Sequence, residues 1–386
     1  RRRRETARTP AALSFEGKDY PRVAVRYKGF YDGLVSCFVD GVRVCKKLSL
    51  RLSFNEYDEQ GRFYGLKRLN FHSMESDPTA MHDMLAYRMF REAGVPAPRA
   101  SYAEVVVNDE PLGLFSVVEQ IDGQFVRSRF PDGGTGNLYE EAWPVHNDAD
   151  QYLKSLRTNR DGQPSVGRMI RFARALNEAT DDTFPSVLES WTDIDQLVSY
   201  FAVDRLIDNW DGVTRWICVA DHCFNHNYYW YEDAERDRMW LIPWDLNHTF
   251  EVPSPFRGSG AVPEWDVTPA SCEPVFVEFD IPGRPPERQI PSNPAIRERP
   301  AGCDALTRRL SLATRDRLAR RTRELLDGPF RLSTLRDQID ALAARIADAV
   351  ADDPNGPTPA EWRAAVGKLK EDLAPMRSYM ELRVSR

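Results

Sequence analysis

The chain has 386 residues, enough for one large domain or two lobes with real cores and too many for a peptide-sized module. A formal net charge of -7 supplies no global basic field, which argues against nucleic acid or an anionic membrane as partner. No run of about 18 apolar residues exists that could span a bilayer as a helix.

Taken in chain order, residues 1–14 read as a solvated tail headed by the one basic run, Arg1 to Arg4. A strand-rich region follows: "RVAVRYKGF", "LVSCFV", "RVCKKLSLRLSF" and "GLKRLNF" join β-branched and apolar residues with glycine and aspartate breaks. One helix interrupts it, with Asp77 placed to cap, Pro78 at the first helical position, and Gly94, Pro96 and Pro98 placed to end it. Met81, Leu85 and Met89 recur at helical spacing and predict a face packed on the sheet. "ASYAEVVVN" and "LGLFSVVEQI" predict two more strands, and the polar sequence after them sets a boundary between lobes at 15–122 and 123–386.

The second lobe reads as mostly helical, with a hairpin in its middle and a Pro-rich insertion over about 252–300. Amphipathic stretches follow around 306–326, 332–350 and 359–382, the last broken near Pro375. This α+β order, a β-rich lobe with one main helix and then a larger helical lobe, is the layout of a protein-kinase-like fold. Layout alone does not fix function.

The six cysteines fall into three sequence-local pairs, Cys37 with Cys45, Cys218 with Cys223 and Cys272 with Cys303. Even count and locality predict disulfides and an oxidising compartment; zinc is the rival, but there is no paired C-x-x-C and few histidines lie near. In "CFVDGVRVC" a two-residue turn would set Cys37 opposite Val44. A three-residue loop, Asp40-Gly41-Val42, would set it opposite Cys45, and that register is the one expected for a bridge.

The chemistry concentrates in two segments. "VSYFAVDRLIDNWDG" predicts a helix from about Asp193 that delivers Asp211 to the loop at its exit. "NHNYYWYEDAERDRMWLIPWDLNHTF" predicts a hairpin with a polar turn; pairing Tyr231 or Glu232 with Met239 or Trp240 sets Asn227 across from Trp244 or Asp245. An amide and two carboxylates then converge. Magnesium or manganese takes hard oxygen ligands such as an Asp/Asn pair, and a further carboxylate, Asp211, could orient a substrate hydroxyl and accept its proton. Any one of the three alone would read as an ordinary turn former.

Lys67, on the strand before the Asp77 helix, would reach nucleotide phosphates and pair with Asp83; a solvated strand lysine is the alternative. Arg26 and Lys28 could face phosphate or solvent, and Glu119 falls where a hinge would meet the base or is a plain strand-end carboxylate. The histidines show no H-E-x-x-H, and no G-x-S-x-G or papain-like cysteine context occurs.

In order, "VAVRYKG", "KKLSLRLSF", "GLKRLNF", "DPTAMHDMLAYRMFREAGVPAPR", "VVVNDEPLGLFSVVEQID", "GNLYE", "NWDG", "HNYYWYED" and "LIPWDLNHTF" resemble the CotH family, the spore-coat-type atypical protein kinases, over most of residues 20–250. The resemblance implies an atypical, two-lobed kinase fold and transfer of the γ-phosphoryl of ATP to protein Ser or Thr, in a secreted, periplasmic or cell-surface setting. It also implies Asp211 as catalytic aspartate, Asn227 and Asp245 as metal ligands and Lys67 as phosphate-binding lysine. Three departures stand out: "VTRWICVADHCF" lengthens the segment between Asp211 and Asn227, the familiar W-D-L-D ending is here closed by Asn247, and Asp83 replaces a usual glutamate. They leave open a catalytically degenerate surface-binding protein of adhesin type, and nothing excludes a small molecule or a glycan as acceptor.

Overall fold

Apolar residues at every second position build the first part of the molecule. The computed structural model describes residues 7–29, 37–39, 42–219, 222–251, 256–257, 265–276, 278–279 and 296–384, so the Arg1 to Arg4 run and most of the Pro-rich insertion lie outside the described residues. Its first elements are β1 (Thr9–Phe15), β2 (Lys18–Tyr27), β3 (Phe38–Val39), β4 (Val42–Arg43), β5 (Leu50–Ser53), β6 (Arg68–His72), α1 (His82–Glu92), β7 (Ala100–Val107) and β8 (Glu110–Glu119). Six of the strands form one antiparallel sheet in the order β1-β2-β5-β6-β8-β7. Val23, Leu50, Leu52, Leu69, Phe71 and Phe115 pack together on one face. The pleat sends Arg26, Arg51, Asn70 and His72 to the other.

Helix α1 starts later than the sequence suggests. Asp77 still serves its N-terminus, accepting from the His82 N–H at 2.8 Å, but it does so across a turn in which Ala80 has φ +60°. At the other end Val95 N–H bonds Phe90 O and Gly94 N–H bonds Arg91 O, the paired closure that a left-handed residue permits, and Gly94 has φ +80°. Met81, Leu85 and Met89 are buried as their spacing predicts.

The remainder comprises α2 (Gly123–Arg129), β9 (Leu138–Glu140), α3 (Ala149–Ser155), α4 (Gly167–Glu178), α5 (Phe184–Trp191), α6 (Ile194–Leu206), β10 (Trp216–Val219), β11 (His222–Phe224), β12 (Tyr228–Asp233) and β13 (Arg238–Pro243). Then come β14 (Phe256–Arg257), β15 (Val275–Phe276), β16 (Glu278–Phe279), β17 (Ile296–Arg299), α7 (Ala305–Asp327), α8 (Leu332–Ala351) and α9 (Pro359–Val384). The architecture is the expected α+β division. Among the described residues no helix is long and apolar enough to cross a membrane.

Helix α9 does not break at Pro375. Trp362, Val366, Leu369, Leu373, Met376 and Met380 form one buried stripe across the proline. Burial of roughly 1.5–3 kcal/mol per large side chain outweighs the ~3 kcal/mol an interior proline costs.

All three disulfides form as paired. The first does so in the other register: Val39 pairs with Val42, so Cys37 faces Val44, and Cys45 one residue on still closes the bridge with Cα atoms 4.8 Å apart. Cys218 and Cys223 stand directly opposite on β10 and β11. β10 also pairs with β17, and β17 with β15, giving a sheet of order β11-β10-β17-β15 that joins the Cys218 hairpin to the Pro-rich insertion.

A buried ion pair ties the last helices to the first sheet. Lys47 Nζ lies 2.7 Å from Asp353 Oδ2 and donates to Leu114 O at 2.8 Å, while Leu114 N–H donates to the same carboxylate oxygen at 2.9 Å. Asp353 occupies the space beside Gly113, φ +106°, where a Cβ would clash with the Asp353 carboxylate. Asp353→Ala should therefore destabilise the protein by ~3–5 kcal/mol in urea unfolding, since it leaves Lys47 buried and unpaired. Lys47→Met in the same chain should recover part of that loss.

Candidate functional site

Helix α6 is buried along its length and delivers the loop after Leu206 into a braced setting. Asn209 donates to Asp204 Oδ1 at 2.8 Å, Trp210 Nε1 to Glu251 Oε2 at 2.6 Å, and Asn225 Nδ2 to Val213 O at 2.8 Å. Arg215, fully buried, bonds Glu298 of β17 at 2.9 Å and lies 3.7 Å from Asp208, so the insertion is anchored to the same loop. Asp211 stands at the tip.

The hairpin meets it in the predicted register. Tyr231 pairs with Trp240, Glu232 with Met239, and Trp244 N–H bonds Asn227 O at 3.1 Å. Asn227 Nδ2 donates to Asp211 Oδ2 at 2.8 Å and to Asp211 O at 2.9 Å, joining the helix exit to the hairpin. Asn227 and Asp245 have φ +63° and +52°, a region in which Asn and Asp are the least costly residues after glycine, so the backbone itself favours these residue types there. The Tyr87 hydroxyl oxygen of α1 accepts the Asp245 N–H at 3.0 Å.

His226, one residue before Asn227, completes this side. Its Nε2 lies 2.8 Å from Asp211 Oδ1. Burial alone would lower the imidazole's pKa, but the adjacent Asp211 carboxylate outweighs burial and raises it to about 9, so His226 is a cation at neutral pH. Among the described residues the half-buried Asp245 carboxylate has no hydrogen-bond donor, and Asn227 Oδ1 has none either. Two open oxygens suit a hard cation that keeps water and phosphate among its ligands. No group of three or more His, Cys, Asp or Glu among the described residues could hold a metal by itself.

The sheet faces this cluster with a lysine, but not Lys67. Lys28, just past β2, lies 2.6 Å from His72 Nε2 and 5.4 Å from the Trp244 ring. His72 Nδ1 lies 2.9 Å from Asp83 Oδ2, which also accepts from Ser116 Oγ at 3.0 Å. Burial, helped by Arg51 and Arg26 and opposed by Asp245 and Asp83, lowers Lys28 to about 8. Burial would raise the Asp83 carboxyl, and the bonds from His72 and Ser116 hold it below the ordinary range.

The expected Lys67–Asp83 pair is therefore not formed. Lys67 precedes β6 and shares the pleat side of Leu69 and Phe71, whereas His72 shares that of Asn70. Glu119 is likewise committed elsewhere. Its buried carboxylate accepts from Arg99 at 3.0 Å and from Arg129, and it pairs in register with Leu69, so its side chain does not present itself to a base. Arg26 lies on the Lys28 side and donates to Tyr27 O at 3.1 Å. Asn247 Nδ2 donates to Ser76 Oγ at 2.9 Å. Sequence reasoning missed His72, whose i, i+2 relation to Asn70 was the one available signal, and it left His226 as a flanking residue.

The family model described as CotH kinase protein matches residues 25–385. Inner spore coat protein H of Bacillus subtilis (strain 168) is 23% identical over 226 residues, 54% of this chain and 56% of that protein. Invasin CotH7 of Rhizopus delemar is 24% identical over 197 residues, 46% of this chain and 30% of that protein. The matched region thus spans little more than half of the first relative and less than a third of the second. Among solved structures, the Shewanella oneidensis MR-1 toxin–antitoxin complex of HipA, HipB and operator DNA overlaps 88% of this chain and 65% of its counterpart at 13% identity. Its TM-score of 0.33 is too low to carry a functional argument. With the family match running from residue 25 to residue 385, the chain belongs to the CotH family.

Proposed function

We propose that the protein is an ATP-dependent phosphotransferase that moves the γ-phosphoryl group to a hydroxyl, with Ser or Thr of a protein as acceptor. The observation that carries this reading is the open Asp245 carboxylate beside the open Asn227 oxygen, with Asp211 bonded to Asn227 on one side and Lys28 facing from the sheet. Three disulfides add the setting, an oxidising extracellular or surface location.

In this reading Asp211 orients the acceptor hydroxyl and takes its proton as the oxygen forms its bond to phosphorus. The bond from phosphorus to the β-phosphate oxygen breaks, and ADP leaves. Asn227 and the His226 cation hold the Asp211 carboxylate from two directions, which fixes its angle. Lys28, braced by His72, offsets phosphate charge. Asn227 Oδ1 and Asp245 would hold Mg²⁺ or Mn²⁺, which when bound supplies further charge neutralisation.

A binding role on the same scaffold is the second reading. Asn247 favours it by removing the carboxylate with which the family's W-D-L-D ending closes, and one relative carries the name invasin. The two readings separate cleanly. ATP with Mn²⁺ should raise the melting temperature of the wild type, and Asp245→Ala should abolish that rise. Asp211→Asn should keep the rise yet lose transfer of label from ATP by about 100-fold or more. A wild-type protein with neither a metal-dependent shift nor label transfer would establish the binding reading, and full activity of Asp211→Asn would remove that residue from the mechanism.

A further inference from the structure

We infer that Arg51 is a second phosphate contact, and that with Lys28 it forms a two-point clamp selecting nucleoside tri- and diphosphates over monophosphates. This rests on the phosphotransferase reading and names the ligand chemistry of its donor side.

The β2–β5 register sets Arg51 directly across from Arg26. Like charges placed so disfavour the sheet, and no compensating carboxylate is bonded to Arg51 among the described residues. Its side-chain Nε donates to Asn70 Oδ1 at 3.0 Å. Asn70 is held in turn, donating to Val118 O at 3.2 Å and to Gln120 Oε1 at 3.3 Å. The guanidinium plane is thus fixed from behind, while among the described residues its two terminal nitrogens have no acceptor. Glu140, an anion whose field reaches Arg51, is already paired with Arg157.

Arg51 is half-buried, and burial with the neighbouring Arg26 charge lowers it to about 10. A desolvated, oriented guanidinium without an anion is a receptor for one. Its fork matches two phosphate oxygens, which a lysine cannot do.

The spacing selects the ligand. Arg26 and Lys28 are two residues apart on one strand side, so the Arg51 and Lys28 positions differ by roughly 7 Å along the sheet. Both side chains are long enough to close on a chain of two or three phosphates, which offers each cation oxygens of its own where a single phosphate would have to be shared. Lys28 lies in the field of Asp245, whereas Arg51 lies in the fields of Tyr229 and Glu140. The reacting end of the polyphosphate therefore belongs to Lys28, and the nucleoside end to Arg51.

Calorimetric titration in Mn²⁺ with ATP, ADP, AMP and tripolyphosphate tests the clamp. Arg51→Gln should weaken ATP, ADP and tripolyphosphate about tenfold or more and change AMP little, with Arg51→Lys intermediate because it restores charge without the fork. Equal weakening of all four ligands, or none, overturns the inference. Wild-type labelling is a second measure should Arg51→Gln fail to fold. Lys28 is increasingly neutral and nucleophilic above about pH 8, and protonated below it, so it should acylate ahead of ordinary lysines at pH 8. Tripolyphosphate should slow that acylation, and unchanged labelling overturns the clamp. Tripolyphosphate binding without label transfer would keep the clamp and remove the phosphotransferase reading; transfer with unaltered ATP affinity in Arg51→Gln would do the reverse.

Discussion

The register of the β12–β13 hairpin is the constraint on which the site depends. Asn227 and Asp245 flank its last paired residues, Tyr228 and Pro243, so a slip of one residue would displace them along the hairpin relative to each other and to Asp211. Several local interactions hold the pairing. Asp233 Oδ1 accepts from the N–H groups of Glu235 and Arg236 at 3.1 Å each, closing the polar turn. Gln196 of the buried helix α6 donates to Leu241 O at 2.7 Å, and β9 pairs with the free side of β12. The hairpin is thus held at its turn, at its middle and along one edge, which leaves its open end rigid enough to present an unpaired carboxylate.

This half of the site was legible because its signals are local. A polar heptapeptide between two aromatic runs declares the turn, and counting outward reaches Asn227 and Asp245. The other half was not. Recognising that the strand before α1 should face phosphate is a statement about topology, whereas choosing the lysine requires knowing where β6 begins and which way its pleat points. β6 starts at Arg68, so Lys67 falls on the side of Leu69, and the lysine that faces the cluster is Lys28, just past β2. The substitution at residue 83 then has a physical sense: aspartate lacks a methylene of reach, and the imidazole of His72 spans the gap between Asp83 and Lys28.

The longest-range ties leave no pattern in the sequence at all. Lys47 and Asp353 lie 306 residues apart, and Arg215 and Glu298 lie 83 apart. No periodicity or capping preference links such positions; only the packed chain brings them together. They decide how the parts are coupled. Asp353 fastens the helix α8 end to strand β8, and Arg215 fastens the insertion to the loop that carries Asp211. Pro375 teaches the same point from the other side, since a local signal for a helix break yields to a stripe of buried side chains that continues across it.

Charge arrangement gives these pieces a common logic. Lys28 and Asp245 lie within each other's field yet are not bonded, and a direct pair between them would satisfy both and leave nothing for a ligand. Each is held from behind by a group that does not neutralise it: Tyr87 takes the Asp245 amide rather than its carboxylate, and His72 supports the Lys28 ammonium. Asp211 differs, because His226 cancels its charge while Asn227 fixes its angle. A carboxylate partnered in that way is poor at holding a cation and suited to aligning a hydroxyl, whereas the unpartnered Asp245 is suited to the cation. The division of labour proposed for the two aspartates rests on their neighbours, since their side chains are the same.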